Sequence, residues 1–141
     1  MERLNHASVE LAGMNLIEAS AGTGKTYAIA SLYLRLLVEK GLRPEEILVV
    51  TYTDAATKEL RAKIRSRIRE ALDVIEGSIT EDAFLLSFSE KARLSGIAGV
   101  KDILERALGD FDTASIYTIH GFCLRALQDN VFETGSLYDT E

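Results

Sequence analysis

The chain has 141 residues, 47% of them hydrophobic and 27% charged, with a net charge of −6. This is the composition of one globular domain rather than a disordered chain, and a domain of about 150 residues hides about two-thirds of its unfolded surface. The single cysteine, Cys123, excludes an internal disulfide and a cysteine-based zinc site, and the acidic balance confines any nucleic-acid binding to a local patch.

Met1, Glu2 and Arg3 are followed by polar residues, and no apolar run approaches the roughly 18 residues of a membrane span. No leader and no membrane contact are therefore expected, and a reducing cytoplasm is the expected location. Residues 1–13 read as a loose lead-in. Asn15 to Ala19 is a short, mostly apolar stretch before a Gly-rich turn and reads as a strand. Lys25 to Lys40 carries Ile29, Leu32, Leu36 and Leu37 at helical spacing, and Gly41 ends it. After a turn at Pro44, Ile47 to Tyr52 is a continuous apolar, β-branched run, which predicts a strand buried on both faces. Asp54 to Glu76 reads as a long helix capped by Asp54, with the apolar stripe Leu60, Ile64, Ile68, Leu72 and Ile75 and a stop at Gly77. Two further helices follow over residues 80–109, broken near Ser95-Gly96. Ala114 to Thr118 is a third strand, and His120 to Phe132 a last helix. Strands alternating with helices predict an α/β fold with a parallel sheet flanked by helices, its first strand leading into the Gly-rich turn.

The strongest chemical signal is Ala19-Ser20-Ala21-Gly22-Thr23-Gly24-Lys25-Thr26, a Walker A loop. A triphosphate can be surrounded by backbone N–H groups only where the chain passes close to it, and Gly22 and Gly24 permit that approach. The loop opens a helix, whose N-terminus adds its positive dipole end. Lys25 can reach the β- and γ-phosphates, and the Thr26 hydroxyl can coordinate Mg²⁺. With Tyr27, residues 19–27 form the candidate site for ATP and Mg²⁺. Ala19 stands where the general pattern has glycine; the alternative is a chance Gly-rich turn between a strand and a helix.

Hydrolysis needs more: a second carboxylate on the metal and a group that orients water. No hydrophobic strand here ends directly in Asp-Glu, and Asp110 and Asp112 precede a strand rather than follow one. The chain reads as the front part of a motor that binds ATP with negligible hydrolysis.

Three ordered segments then carry a family resemblance over roughly residues 14–135. Leu16 to Thr26 resembles the first motif of the RecB-like (exodeoxyribonuclease V β-subunit) branch of the UvrD-like superfamily 1 DNA helicases. In that family Ala at the first Walker position is common. Val49-Val50-Thr51-Tyr52-Thr53-Asp54-Ala55-Ala56-Thr57-Lys58-Glu59-Leu60-Arg61 resembles motif Ia, and Ile116-Tyr117-Thr118-Ile119-His120-Gly121-Phe122-Cys123 resembles motif Ib. The resemblance implies a RecA-like P-loop motor domain, incomplete in this chain, with residues 78–112 as a helical insertion. It implies a parent that is an ATP-driven DNA helicase moving 3′ to 5′ in DNA repair and recombination. That parent would act with other subunits of an exodeoxyribonuclease V-type complex and carry a nuclease domain absent here. The adenine-reading Gln of many relatives has no counterpart, since Gln128 is the only glutamine.

By the same resemblance Thr51, Tyr52 and Thr53 face single-stranded DNA, and a base can stack on Tyr52 whatever its sequence. Without the family match Tyr52 reads as a core residue capping the sheet. Thr118 and His120 are candidate phosphate contacts, although His120 alone reads as a helix-start or core residue. Lys58, Arg61, Arg65 and Arg69 share a helix face. A solvated surface accounts for most of that stripe, and Lys58 and Arg61, nearest motif Ia, are the DNA candidates. Two other functions compete: a small P-loop phosphotransferase such as a metabolite kinase, for which no lid is evident, and a nucleotide-binding module without catalysis.

Overall fold

Backbone hydrogen bonding settles into five helices and one two-stranded sheet across residues 4–19 and 24–130, the residues that the computed structural model describes. In chain order these are α1 (Lys25–Glu39), β1 (Val49–Thr51), α2 (Asp54–Ile75), α3 (Ala83–Ser95), α4 (Ile97–Gly109), β2 (Ile116–Thr118) and α5 (Ile119–Asp129), with 3-10 turns at Pro44–Glu46 and Phe111–Thr113. One device starts three of the helices. An oxygen-bearing side chain at the N-cap accepts a first-turn N–H that has no partner inside the helix. Thr53 accepts from Ala56, Asp82 from Leu85 and Thr118 from Gly121. Between α3 and α4 the chain turns at Gly96, where φ is +105°, a conformation closed to other residues without strain.

The strands pair in parallel, Val49 with Ile116, Val50 with Tyr117 and Thr51 with Thr118. Three helices make the crossover, as a parallel pair requires. The entry to β2 is also tied to the Pro44 turn: Ser115 donates its hydroxyl to Glu45 O at 2.9 Å. The core forms on α2, whose Ile64, Ile68 and Ala71 are fully buried against Tyr33, Leu34 and Leu37 of α1, Phe88 of α3 and Leu104 of α4. α5 contributes no buried residue.

Several expectations change. The strand expected over Asn15–Ala19 does not form; Met14 is fully exposed and Leu16 86% exposed. A strand exists only where a neighbouring backbone supplies a ladder, and β1 makes its ladder with β2 instead. The second strand is shorter than the apolar run and is not buried on both faces: Ile47 is buried, while Leu48 and Val50 are exposed. Only the face turned to the core is covered, so burial follows the period-two pleat. In α1 the buried face is Ala30, Tyr33, Leu34 and Leu37, with the same helical spacing as the expected stripe but turned towards α2; Ile29 of that stripe stays exposed. The α2 cap is Thr53, with Asp54 the first helical residue. The lead-in is not loose over residues 5–9, because the Arg35 guanidinium donates to the carbonyls of His6 (3.1 Å) and Val9 (2.6 Å).

Leu104 has no exposed surface. Leu104→Ala is expected to lower unfolding stability by about 2–5 kcal/mol, read as a shift of the urea midpoint with an unchanged slope.

Candidate functional site

The register of the sheet brings two of the candidate segments together. Thr51 and Thr118 are partners on adjacent strands, and each strand turns straight into a helix, α2 after Tyr52-Thr53 and α5 at Ile119. Two helix N-termini therefore open at the same end of the sheet, where unpaired N–H groups and the dipole favour an anion. The threonines have structural work there. Thr53 and Thr118 are caps, and the Thr51 and Thr57 hydroxyls share a hydrogen bond. A Cβ at Gly121 would lie 3.1 Å from the Thr118 hydroxyl, so glycine keeps room for that cap. Tyr52 projects beyond this frame and is 89% exposed, which removes it from the core. His120 and Lys58 are exposed as well. Arg61 differs: its guanidinium donates to Ile116 O at 3.1 Å and Ala114 O at 3.5 Å, so its charge braces β2.

Of the phosphate-loop candidates, Ser20, Ala21, Gly22 and Thr23 lie outside the described residues. Ala19 is half-buried, Gly24 and Lys25 are exposed and Thr26 is half-buried. Gly24 precedes α1 with φ +90°, a left-handed conformation that suits glycine, and it brings no side-chain cap. Unlike α2, α3 and α5, helix α1 thus starts with first-turn N–H groups that no side chain of its N-cap covers, beside an exposed lysine. That arrangement fits an anionic ligand such as a phosphate, with Lys25 as its counter-charge and Thr26 as the hydroxyl next to it.

Tyr27 is engaged with α2, with the N-cap of α3 and with the lead-in. Its hydroxyl donates to Asp82 Oδ1 at 2.9 Å, the Arg67 guanidinium covers its ring at 4.4 Å, and His6 meets it edge-on at 5.3 Å. Arg67 is 5% exposed; it donates to Asp82 Oδ2 at 2.8 Å, Glu70 at 3.2 Å and the Ser31 hydroxyl at 3.1 Å. Its Nε has no hydrogen-bond partner among the described residues. Burial raises the Asp82 carboxyl, but hydrogen bonds from Arg67, the Leu85 N–H and Tyr27 outweigh it and hold the group below the usual carboxylate range. Burial and the bond to Asp82 push the Tyr27 phenol up. By charge alone Arg67 is one more basic residue of α2. The signal that separates it is its phase: Leu60, Ile64, Arg67 and Ala71 follow the i, i+4, i+7, i+11 spacing of one buried face.

Comparison with known proteins gives consistent matches. The family described as UvrD/REP helicase N-terminal domain matches residues 2–140. The chain is 43% identical, over 99% of its length, to RecBCD enzyme subunit RecB of Escherichia coli (strain K12). It is 40% identical, over 98% of its length, to the subunit of the same name from Haemophilus influenzae. It is 44% identical, over 92%, to that from Buchnera aphidicola subsp. Schizaphis graminum. The chain spans about 12% of the length of these relatives.

The depressed Asp82 carboxyl gives a pH test. A carboxylate whose folded value lies below its ordinary 3.8 contributes stability that is present above that value and is lost as pH falls through the folded value. Asp82→Asn is expected to cost about 1–3 kcal/mol at pH 7. The gap in Tm between wild type and variant, followed by circular dichroism, should narrow steadily below pH 4; a gap that stays constant down to pH 2 contradicts the assignment.

Proposed function

Because the chain belongs to the UvrD/REP helicase N-terminal domain family, we propose that it is the ATP-binding part of a RecA-like motor in an ATP-dependent DNA helicase. Residues 19–26 take MgATP. Lys25 meets the β- and γ-phosphates, the Thr26 hydroxyl takes a position on Mg²⁺, and the N–H groups around Gly24 receive phosphate oxygens. Bound MgATP supplies the phosphoryl bond whose hydrolysis drives movement. The start of α1 at Gly24, which brings no side-chain cap, beside exposed Lys25 supports this reading.

The single-stranded DNA path in this proposal crosses the end of the sheet. The observation that carries it is the pairing of Thr51 with Thr118, which sets Tyr52-Thr53 and Ile119-His120 side by side. A base stacks on Tyr52, while Thr53, Thr118, His120 and Lys58 line the phosphates through hydroxyl, imidazole and ammonium groups and the two helix starts. Arg61 joins the path indirectly, by fixing β2. On this reading residues 78–112 are a helical insertion in the motor. The protein works with the other subunits of a RecBCD-type complex in cytoplasmic DNA repair, moving 3′ to 5′. Among the described residues no helix is long and apolar enough to cross a membrane. A metabolite kinase and a non-catalytic nucleotide module are not favoured, since the matched family is a helicase domain.

Two measurements test the proposal. Calorimetric titration with a non-hydrolysable ATP analogue and Mg²⁺ is expected to give saturable binding by the wild type and none by Lys25→Ala, because the next basic residue along α1 is Arg35, which is engaged with Glu39. Equal affinity in both removes Lys25 from the site. For DNA, Tyr52→Ala is expected to weaken binding of a labelled oligothymidylate at low salt by about 1–3 kcal/mol, measured by fluorescence anisotropy. Binding that is unaffected by the substitution refutes the stacking role.

A further inference from the structure

Arg67 is buried with its charge and leaves one donor, Nε, without a partner among the described residues. Stability alone does not call for such a group. Replacing a buried ion pair by apolar residues of similar volume is often neutral or stabilising, and an orphaned donor adds a cost of its own. The partners of this group suggest what it is for. Asp82 Oδ1 accepts from three elements at once: the Tyr27 hydroxyl on α1 at 2.9 Å, Arg67 Nη2 on α2 at 3.3 Å and the Leu85 N–H that begins α3 at 3.0 Å. Tyr27 is the residue next to Thr26, in the first turn of α1. A helix turn moves as a unit, so a change in the seating of Lys25 and Thr26 carries the Tyr27 hydroxyl with it. That hydroxyl shares its acceptor atom with the cap of α3.

We propose that Tyr27, held by Asp82 and Arg67, is a positioning residue that couples occupancy of the nucleotide loop to the start of the α3–α4 helix pair. The inference rests on the nucleotide reading above. In this arrangement the first turn of α1 is not seated by local contacts alone. Its position is set against α2, through the Arg67 guanidinium stacked on the Tyr27 ring, and against α3, through Asp82. The coupling runs in both directions, as linkage requires: whatever orders α1 around phosphate tightens the cap of α3, and a partner that displaces α3 loosens the phosphate site. The ring of Phe84, 5.1 Å from the same guanidinium, keeps the first turn of α3 in the cluster.

The test is amide hydrogen exchange on the whole chain, with and without a saturating non-hydrolysable ATP analogue and Mg²⁺. Slowed exchange in the first turn of α1 reports occupancy. The Leu85 and Leu86 amides, which donate to Asp82 Oδ1 and to Asp82 O, report the cap of α3. In the wild type, nucleotide is expected to slow both regions, the α3 pair by about tenfold. Tyr27→Phe removes only the hydroxyl, and Asp82→Ser keeps a capping oxygen for Leu85 while withdrawing the carboxylate from Tyr27 and Arg67. In each variant, at nucleotide concentrations that protect α1, the α3 response is expected to vanish. A merely structural role for Tyr27 would lower Tm yet leave the α3 response in place. If that response survives in Tyr27→Phe, or is missing from a wild type whose α1 is protected, the coupling is overturned and the nucleotide site stands. If nucleotide protects nothing in the wild type, the nucleotide reading fails and the coupling falls with it.

Discussion

The parallel ladder between Val49–Thr51 and Ile116–Thr118 is the constraint from which the rest of the architecture follows. Parallel strands cannot be joined by a hairpin, so the chain leaving Thr51 must travel back along the sheet before it can pair. Here α2, α3 and α4 make that return, and their apolar faces have to be buried on the way. α2 lies against the sheet and receives α1, α3 and α4, which is why its Ile64, Ile68 and Ala71 have no exposed surface. The same parallel direction sends both strands into helices at one end. The two family motifs are therefore neighbours because of hydrogen-bond direction, even though they are far apart in the chain.

Helices were more legible in the sequence than strands, for a physical reason. A helix satisfies its own backbone, so the punctuation at Gly41, Gly77 and Ser95-Gly96 and the stripe Leu60, Ile64, Ile68 read through to the observed α1, α2, α3 and α4. A strand depends on a partner that the local sequence does not contain. Asn15–Ala19 is mostly apolar and forms none, while within Ala114–Thr118 the residues Ile116–Thr118 pair with β1. The same distinction applies to the candidate site. The residue types in the phosphate loop and at the sheet end follow from motif spacing. That Arg61 braces β2, or that Tyr52 stands clear of the core, depends on tertiary packing that no spacing encodes.

Arg67 shows how a buried charge could be read in advance and how easily it is passed over. Counted by charge it belongs with Lys63, Arg65 and Arg69; counted by phase it sits with Leu60, Ile64 and Ala71. Phase decides burial, and burial then dictates the neighbours. A guanidinium removed from water needs acceptors and polarisable surface, and Asp82, Glu70, Ser31 and the rings of Tyr27 and Phe84 supply both. A similar rule explains Arg35, whose burial draws the His6 and Val9 carbonyls onto α1 and orders a segment that composition alone leaves unstructured.

The sheet has a colloidal consequence. Among the described residues each strand has a neighbour on one side only, and Val50 and Leu48 are exposed beside that ladder. Open edges of this kind are templates on which another chain can grow a strand, the step that begins filament and aggregate formation. Here each strand is only three residues long, too short a run to hold a stray partner in register, and a net charge of −6 adds mutual repulsion between copies. Brevity of the strands, which weakens the ladder as a scaffold, thus also limits what its open edges can template.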